Sequence, residues 1–373
     1  MRKLALTEII DKLKEENTPP LRLVAWEVTR RCNLNCQHCR AASGAGPYYG
    51  ELNKEEAFKV LAEIARLGKP VVILTGGEPL LRDDIYDLAK EGTRLGLRMV
   101  IAPNGTLLSE EKAHRLKEAG IQRVSISLDG ATAKSHDQFR QVPGAFAGAL
   151  QGIQYLKKVG LEFQINTTVT LKNMEEIPAI LELAFHLGAV AHHIFLLVPT
   201  GRGQALAEET LPAEKYEEVL HWFYEQREKY PLQLKATCAP HYYRILRQRA
   251  AAEGQKISFP QMGLETMTRG CLGGIGFCFI AYNGEIQPCG YLEVPCGNLR
   301  HQSLADIWKE SPVFKKLRDF SAYQGRCGRC EFIKVCGGCR ARAYARDGNY
   351  LGEEPLCTYQ PRAKIYTSGE SGQ

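Results

Sequence analysis

The stretch LRLVAWEVTRRCNLNCQHCRAAS, residues 21–43, runs an apolar, β-branched segment straight into three cysteines, Cys32, Cys36 and Cys39. Leu21 to Val28 reads as a buried strand, and the C-terminal ends of strands are where α/β folds place their chemistry. Zinc sites and disulfide frameworks use even sets of thiols, or thiols completed by histidine. A trio with three and then two intervening residues leaves a coordination position open, unless His38 closes it around zinc. Three thiolates can instead hold three irons of a 4Fe-4S cube and leave the fourth iron to a chelating small molecule.

Outward from that loop, strand-like and helix-like stretches alternate. PVVILTGG, LRMVIAP, IQRVSISLDG, LEFQINTTVT and AVAHHIFLLVPTG supply five more β-rich runs. Between them lie NKEEAFKVLAEIARLG, RDDIYDLAKEGTRLG, SEEKAHRLKEAG, AFAGALQGIQYLKKVG and NMEEIPAILELAFHLG, which close on Gly; Asn53, Ser109 and Asn173 stand as N-caps. Six β/α units predict an α/β fold, a partial (β/α)6 TIM-like barrel built on a parallel sheet. A doubly wound Rossmann-like sheet shares that element order. The expected organisation is a helical extension over residues 1–20, the barrel over 21–210, a helical linker over 211–264, a cysteine-rich domain over 265–362 and a flexible tail over 363–373.

A chain of 373 residues that is 44% hydrophobic can bury one large core and a smaller one. The net charge of +6 is spread without a dense basic block, which argues against nucleic acid as a partner. No apolar run approaches the roughly 20 residues of a membrane helix, and the N-terminus lacks a signal-peptide pattern, so a cytoplasmic protein with no membrane partner is expected. In that compartment the 13 cysteines are ligands or redox groups rather than disulfides. After the trio none occurs until Cys238, and ten follow from there. CGRCEFIKVCGGC carries Cys327, Cys330, Cys336 and Cys339, a set that could form a treble-clef zinc site. Cys271, Cys278 and Cys289 precede it and Cys357 follows, while Cys238 and Cys296 read as ordinary thiols.

CNLNCQHC resembles the C-x3-C-x-aromatic-C signature of the radical S-adenosylmethionine (SAM) enzymes, with His38 in the aromatic slot. The resemblance implies that Cys32, Cys36 and Cys39 ligate a SAM-binding 4Fe-4S cluster. TGGEP, with Gly76, Gly77 and Glu78, matches the family's motif at the SAM ammonium. APNG with Asn104 and SISLDG with Ser127 and Asp129 fall where the family contacts the methionyl and ribose parts of SAM, and Val198 in VPTGRG where it holds the adenine. The later cysteines resemble the SPASM extension, which carries one or two auxiliary 4Fe-4S clusters. Mapped by order, Cys271, Cys278, Cys289 and Cys339 would hold the first and Cys327, Cys330, Cys336 and Cys357 the second. The spacing departs from the usual pattern once, with two residues rather than three between Cys336 and Cys339.

From about Leu21 to Arg362 the chain is similar to the haem b synthases of the siroheme-dependent haem pathway. That similarity implies iron-coproporphyrin III as a tetrapyrrole substrate, oxidative decarboxylation of two propionates to vinyl groups, an auxiliary cluster as electron acceptor, and a low-potential electron donor such as ferredoxin or flavodoxin. Candidate propionate contacts are His241, Tyr242, Arg244 and Arg247 on an expected helix, and Arg202; arginine suits carboxylates through its bidentate fork. Three alternatives stay open: a related tetrapyrrole enzyme such as a didecarboxysiroheme deacetylase or modified-haem maturase, a peptide-modifying SPASM maturase, and a zinc or electron-transfer protein.

Overall fold

The computed structural model describes residues 18–254 and 269–362. The expected N-terminal extension up to residue 17, the end of the linker and the C-terminal tail lie outside the described residues. Strands β1 (Leu23–Thr29), β2 (Val71–Gly76), β3 (Arg98–Ile101), β4 (Arg123–Ser127), β5 (Phe163–Val169), β6 (Ala191–Leu196) and β7 (Gln233–Thr237) stand side by side in chain order. Every neighbouring pair is parallel. A doubly wound sheet would reverse its strand order midway, so this is the singly wound, barrel-like arrangement.

Two expectations change here. Among the described residues the strands in chain order number seven rather than six, because the stretch expected as a helical linker contains β7 between helices α7 (Ala213–Glu225) and α8 (His241–Ala252). The cysteine-rich region also continues the same sheet. Its strand β8 (Phe277–Ile280) pairs parallel with the outer side of β1, and β9 (Glu285–Gln287) and β10 (Gly297–Asn298) extend it antiparallel.

The helices follow from local chemistry. Helix α1 (Lys54–Arg66) opens on a capping box in which Asn53 accepts from the Glu56 N–H and Glu56 accepts from the Asn53 N–H, and it buries Ala57, Val60, Leu61 and Ile64 at helical spacing. Ser109 caps α3 (Glu110–Glu118) as expected. Asn173 does not cap α6 (Ile177–Leu187), which starts four residues later. Its amide instead donates to the carbonyls of Asp129 (2.9 Å) and Thr168 (2.8 Å), tying the ends of β4 and β5 together. Between α1 and α3 lies α2 (Ile85–Arg94), and α4 (Ala133–Arg140) and α5 (Ala145–Val159) both follow β4.

The cysteine-rich region is sewn to the barrel's outer helices. Arg300 makes a two-pronged bond to Glu56 (2.8 and 3.1 Å), the Leu304 N–H donates to Glu63, and the Trp308 indole of α9 (Leu304–Glu310) donates to the Pro19 carbonyl. Helices α10 (Pro312–Arg318), α11 (Gly325–Gly328) and α12 (Arg340–Asp347) complete the fold.

Candidate active site

Directly after β1 the chain folds into a closed loop, its neck fastened by the Cys32 N–H to the Gly44 carbonyl at 2.7 Å. Cys32, Cys36 and Cys39 pack in one small apolar group with Leu34, Val142 and Ala145. Donors aim at all three sulfurs: the Leu34 N–H at Cys32 (3.4 Å), the Ser43 N–H at Cys39 (3.3 Å) and Arg140 Nη1 at Cys36 (3.5 Å). Burial pushes the Cys32 thiol up to about 12 and raises Cys36 as well, so these two thiols need a metal's charge to become thiolates at neutral pH. His38 does not complete a zinc site. Its ring stacks on Phe139 at 4.4 Å and its Nε2 lies 3.8 Å from Asp129 Oδ2. Among the described residues no three His, Cys, Asp or Glu side chains are placed to share a single ion. Thiols that each take a different iron of a cube have no need to be.

The neighbouring strand ends brace this loop. The Gly77 N–H donates to the Thr29 carbonyl (2.8 Å) and the Glu78 N–H to that of Arg31 (2.7 Å). A Cβ on Gly76 would sit 2.1 Å from the Thr29 carbonyl and one on Gly77 2.2 Å from that of Arg31, so both glycines are required by the close passage of the cysteine loop itself. Glu78 is fully buried and accepts from the N–H groups of Leu80 (3.0 Å) and Asn104 (2.6 Å); burial outweighs these bonds and pushes its carboxyl up to about 7. Asn104 donates to Asn33 (2.8 Å), inside the cysteine loop. Ser127 ends β4 half-buried. Asp129 is buried and engaged with protein: its Oδ2 pairs with Arg140 Nη2 at 2.5 Å and its Oδ1 accepts from the Thr168 N–H at 2.7 Å. A chain of contacts thus runs from Asp129 through Arg140 to the Cys36 sulfur.

Past β6, Val198 is buried among side chains of the cysteine-rich region, Leu292, Cys339 and Ala341. Arg202, expected to reach an acidic substrate, is engaged by the protein. It donates through Nε to the Cys36 carbonyl (2.9 Å) and through Nη1 to the Ser43 carbonyl (2.6 Å), clamping the cysteine loop.

The second expected set of thiols is brought together. Cys327, Cys330, Cys336 and Cys357 line one pocket, walled also by His241, Arg244, Phe332 and Tyr359. N–H groups of Gly338 and Glu354 point at the Cys336 and Cys327 sulfurs, each at 3.4 Å, and Arg340 Nη2 lies 3.5 Å from Cys327. The first expected set is not reproduced. Cys289 and Cys339 pack in one apolar cluster, with Cys238 as the third thiol, and Cys271 lies near them. Cys278 faces away into the main core. Between the two auxiliary groups, Arg342 and Glu354 form a buried pair at 3.1 Å; Glu354 also accepts from the Cys339 N–H, and Arg342 donates to the carbonyls of Leu196, Leu197 and Cys238.

Residues His241 to Arg247 are helical as expected, yet most are committed elsewhere. Arg244 is almost fully buried; its Nη2 donates to both carboxylate oxygens of Glu217 of α7, at 2.6 and 2.7 Å, and its Nη1 to Gln248 at 2.7 Å, so it is not a free propionate anchor. His241 has no solvent exposure, and burial lowers it to about 4. Tyr242 is buried beside Phe223, and Arg247 is half-buried. His192, on β6, is also buried, against Thr167 Oγ1 at 2.9 Å. Sequence reasoning missed Arg40 and Tyr291. The Arg40 guanidinium lies 4.3 Å from the Phe279 ring centre, reaches the Cys289–Gly290 turn, and leaves Nη2 buried without a partner. Tyr291 is half-buried against the apolar cluster that holds Cys339 and Cys289. Arg40 directly follows Cys39, a position from which the cation could have been suspected.

Residues 26–184 match the radical SAM superfamily and residues 271–339 the SPASM iron-sulfur cluster-binding domain. The chain belongs to the radical SAM enzymes that carry a SPASM domain: it binds SAM and a 4Fe-4S cluster in the barrel, and auxiliary iron-sulfur clusters in the C-terminal region. Within that group it is 55% identical to the AdoMet-dependent heme synthase of Methanosarcina barkeri, over 92% of this chain and 98% of the relative. With the protein of that name from Oleidesulfovibrio alaskensis it shares 53% identity over 94% of this chain and 90% of the relative. In fold it is similar to Streptococcus suis SuiB bound to its precursor peptide SuiA, with a TM-score of 0.74 at 18% identity over 95% of this chain and 80% of SuiB. Among the described residues no helix is long and apolar enough to cross a membrane.

Proposed function

We propose that this radical SAM enzyme converts iron-coproporphyrin III into haem b by oxidative decarboxylation of two propionates to vinyl groups. Cys32, Cys36 and Cys39 hold the SAM-binding cluster, and the C-terminal thiols hold two auxiliary clusters. The observation that carries this reading is the pairing of an open three-thiol loop with a separate apolar cluster of auxiliary thiols, near which Arg40, the residue after Cys39, lies against the Phe279 ring and the Cys289–Gly290 turn. The likeness to heme synthases along nearly the whole chain points to a tetrapyrrole.

The bound cluster and SAM supply a one-electron cleavage that yields a 5′-deoxyadenosyl radical. Each propionate must then lose a hydrogen atom from its β-carbon and one further electron before CO2 departs and a vinyl group remains, which calls for an electron acceptor inside the protein. The C-terminal thiols would hold that acceptor. The chain's own groups set the geometry. Arg202, Asn104 and the Gly77 and Glu78 backbone fix the loop, and Arg140 presents positive charge to Cys36. Arg40 offers an unpartnered guanidinium nitrogen to a propionate carboxylate. A low-potential donor such as ferredoxin or flavodoxin supplies the electron that starts each turnover.

Anaerobic incubation with iron-coproporphyrin III, SAM and dithionite, followed by mass spectrometry, tests the reading. Haem b should form with the loss of two carboxyl groups. Unchanged porphyrin despite continued 5′-deoxyadenosine production would remove iron-coproporphyrin III as the substrate.

A further inference from the structure

We propose that Cys238 is the fourth thiol of the first auxiliary cluster, with Cys271, Cys289 and Cys339, and that Cys278 is a core residue outside it. Order along the chain would select Cys278. The fold selects Cys238.

Cys238 lies in the turn that joins β7 to α8, at the C-terminal end of its strand. Its side chain joins the apolar cluster of Val198, Leu292, Cys339 and Ala341, to which Cys289 also belongs. The thiols surrounding its sulfur are those of Cys339, Cys289 and Cys271. Its backbone is left-handed, with φ of +55°. A residue with a Cβ is strained in that conformation and keeps it only where the surroundings impose it. Here they do: the Cys238 carbonyl accepts from Arg342 Nη2 at 2.9 Å and from the Tyr216 hydroxyl at 3.0 Å. Arg342 belongs to α12, which begins right after Cys339, so the bond that holds the strained turn comes from the element that carries another member of the set.

Cys278 fails on the alternation of a strand. Successive side chains of β8 point to opposite faces. Phe279 faces the auxiliary side, where Arg40 lies over its ring at 4.3 Å and a Cβ on Gly290, next to Cys289, would come within 3.0 Å of it. Cys278, one residue earlier, therefore points the other way. It pairs with Val24 of β1, is fully buried in the main core, and its nearest thiol neighbour is Cys296. No rotamer change moves it through the sheet.

The test uses the full-length chain, reconstituted anaerobically, as Cys238→Ala, Cys238→Ser and Cys278→Val. Iron and sulfide are counted per chain, and the dithionite-reduced proteins are compared by electron paramagnetic resonance. Both Cys238 variants should lose one auxiliary signal or replace it by an altered one, with iron falling by up to about four per chain. Cys278→Val should keep full iron and an unchanged spectrum. SAM cleavage to 5′-deoxyadenosine in every variant verifies that the barrel is folded. Full iron with an unchanged spectrum in Cys238→Ala would overturn the assignment, as would loss of an auxiliary signal in a Cys278→Val protein that still cleaves SAM.

Discussion

The two ends of the molecule use cysteine in opposite ways. In the N-terminal loop three thiols occur within eight residues, and the loop owes its shape to backbone clamps brought by β2, β3 and the segment after β6. The C-terminal thiols are gathered from distant points, and their sulfurs are enclosed by helices, turns and buried arginines. The contrast separates an open site from closed ones. Three ligands on a short loop leave one face for a small molecule, whereas four thiols lining a single cavity leave room for a cluster and little else.

Breaking the open site should have the largest effect. Replacing Cys32, Cys36 and Cys39 together by Ala should abolish 5′-deoxyadenosine formation while the C-terminal clusters remain, seen as a loss of about four irons per chain. Persistent SAM cleavage would mean that the C-terminal thiols can host the chemistry and that the contrast is mistaken. Next comes the charge that braces the loop. Arg140→Met leaves Asp129 buried without its 2.5 Å partner, and removing one member of such a pair costs about 3–5 kcal/mol. The urea midpoint should drop accordingly. The cluster potential should move to more negative values, since a cation donating to Cys36 is gone; an unchanged potential would make Arg140 purely structural.

A smaller effect concerns Glu78, at the joint between the loop and β2. Its folded value of about 7 lies above the ordinary 4.5, so the native state holds a proton that the unfolded chain releases. The resulting contribution, about 3 kcal/mol, is fully present below pH 4.5 and lost as pH rises through 7. Glu78→Gln should remove that fall from the stability profile of the chain. Parallel pH profiles for the two proteins would place the carboxyl in a more polar setting than the fold gives it.

Much of this contrast was legible in the sequence, for reasons that differ by residue. The open trio and the Cys327–Cys330–Cys336 run are local spacings, and a loop keeps its spacing whatever surrounds it. Strands β1 to β6 announce themselves because both faces are covered, which demands continuous apolar residues. Strand β7 stands at the sheet edge and alternates, with Leu234 and Ala236 buried and Gln233, Lys235 and Thr237 less so, and QLKAT carries no β-branched run. In the sequence Cys238 reads as an ordinary thiol because it has no place in the SPASM cysteine pattern. Only the fold, which sets the turn after β7 beside the cluster of Cys289 and Cys339, brings them together. Arg244 and Arg202 looked available because charge partners on other elements, Glu217 and the cysteine-loop carbonyls, cannot be seen from a helix's own sequence.

That last point moves the substrate prediction to a new residue. Arg244 and Arg202 serve the protein, so Arg244→Gln should lower stability, by stranding half-buried Glu217, with little change in porphyrin affinity. Arg40 is the better anchor. It follows Cys39 in the chain, lies against Phe279 beside the Cys289 turn, and keeps one guanidinium nitrogen unbonded. A propionate is ionised at neutral pH, and a charge-assisted bond to it contributes about 1.5–3 kcal/mol. Arg40→Gln should therefore weaken iron-coproporphyrin III binding by at least about tenfold, which corresponds to about 1.4 kcal/mol, and leave SAM affinity and cluster content intact. A spectral titration of both variants with the porphyrin separates the two arginines. Weakening in Arg244→Gln with Arg40→Gln unaffected would return the propionate to α8 and would require Glu217 to release its partner when substrate binds.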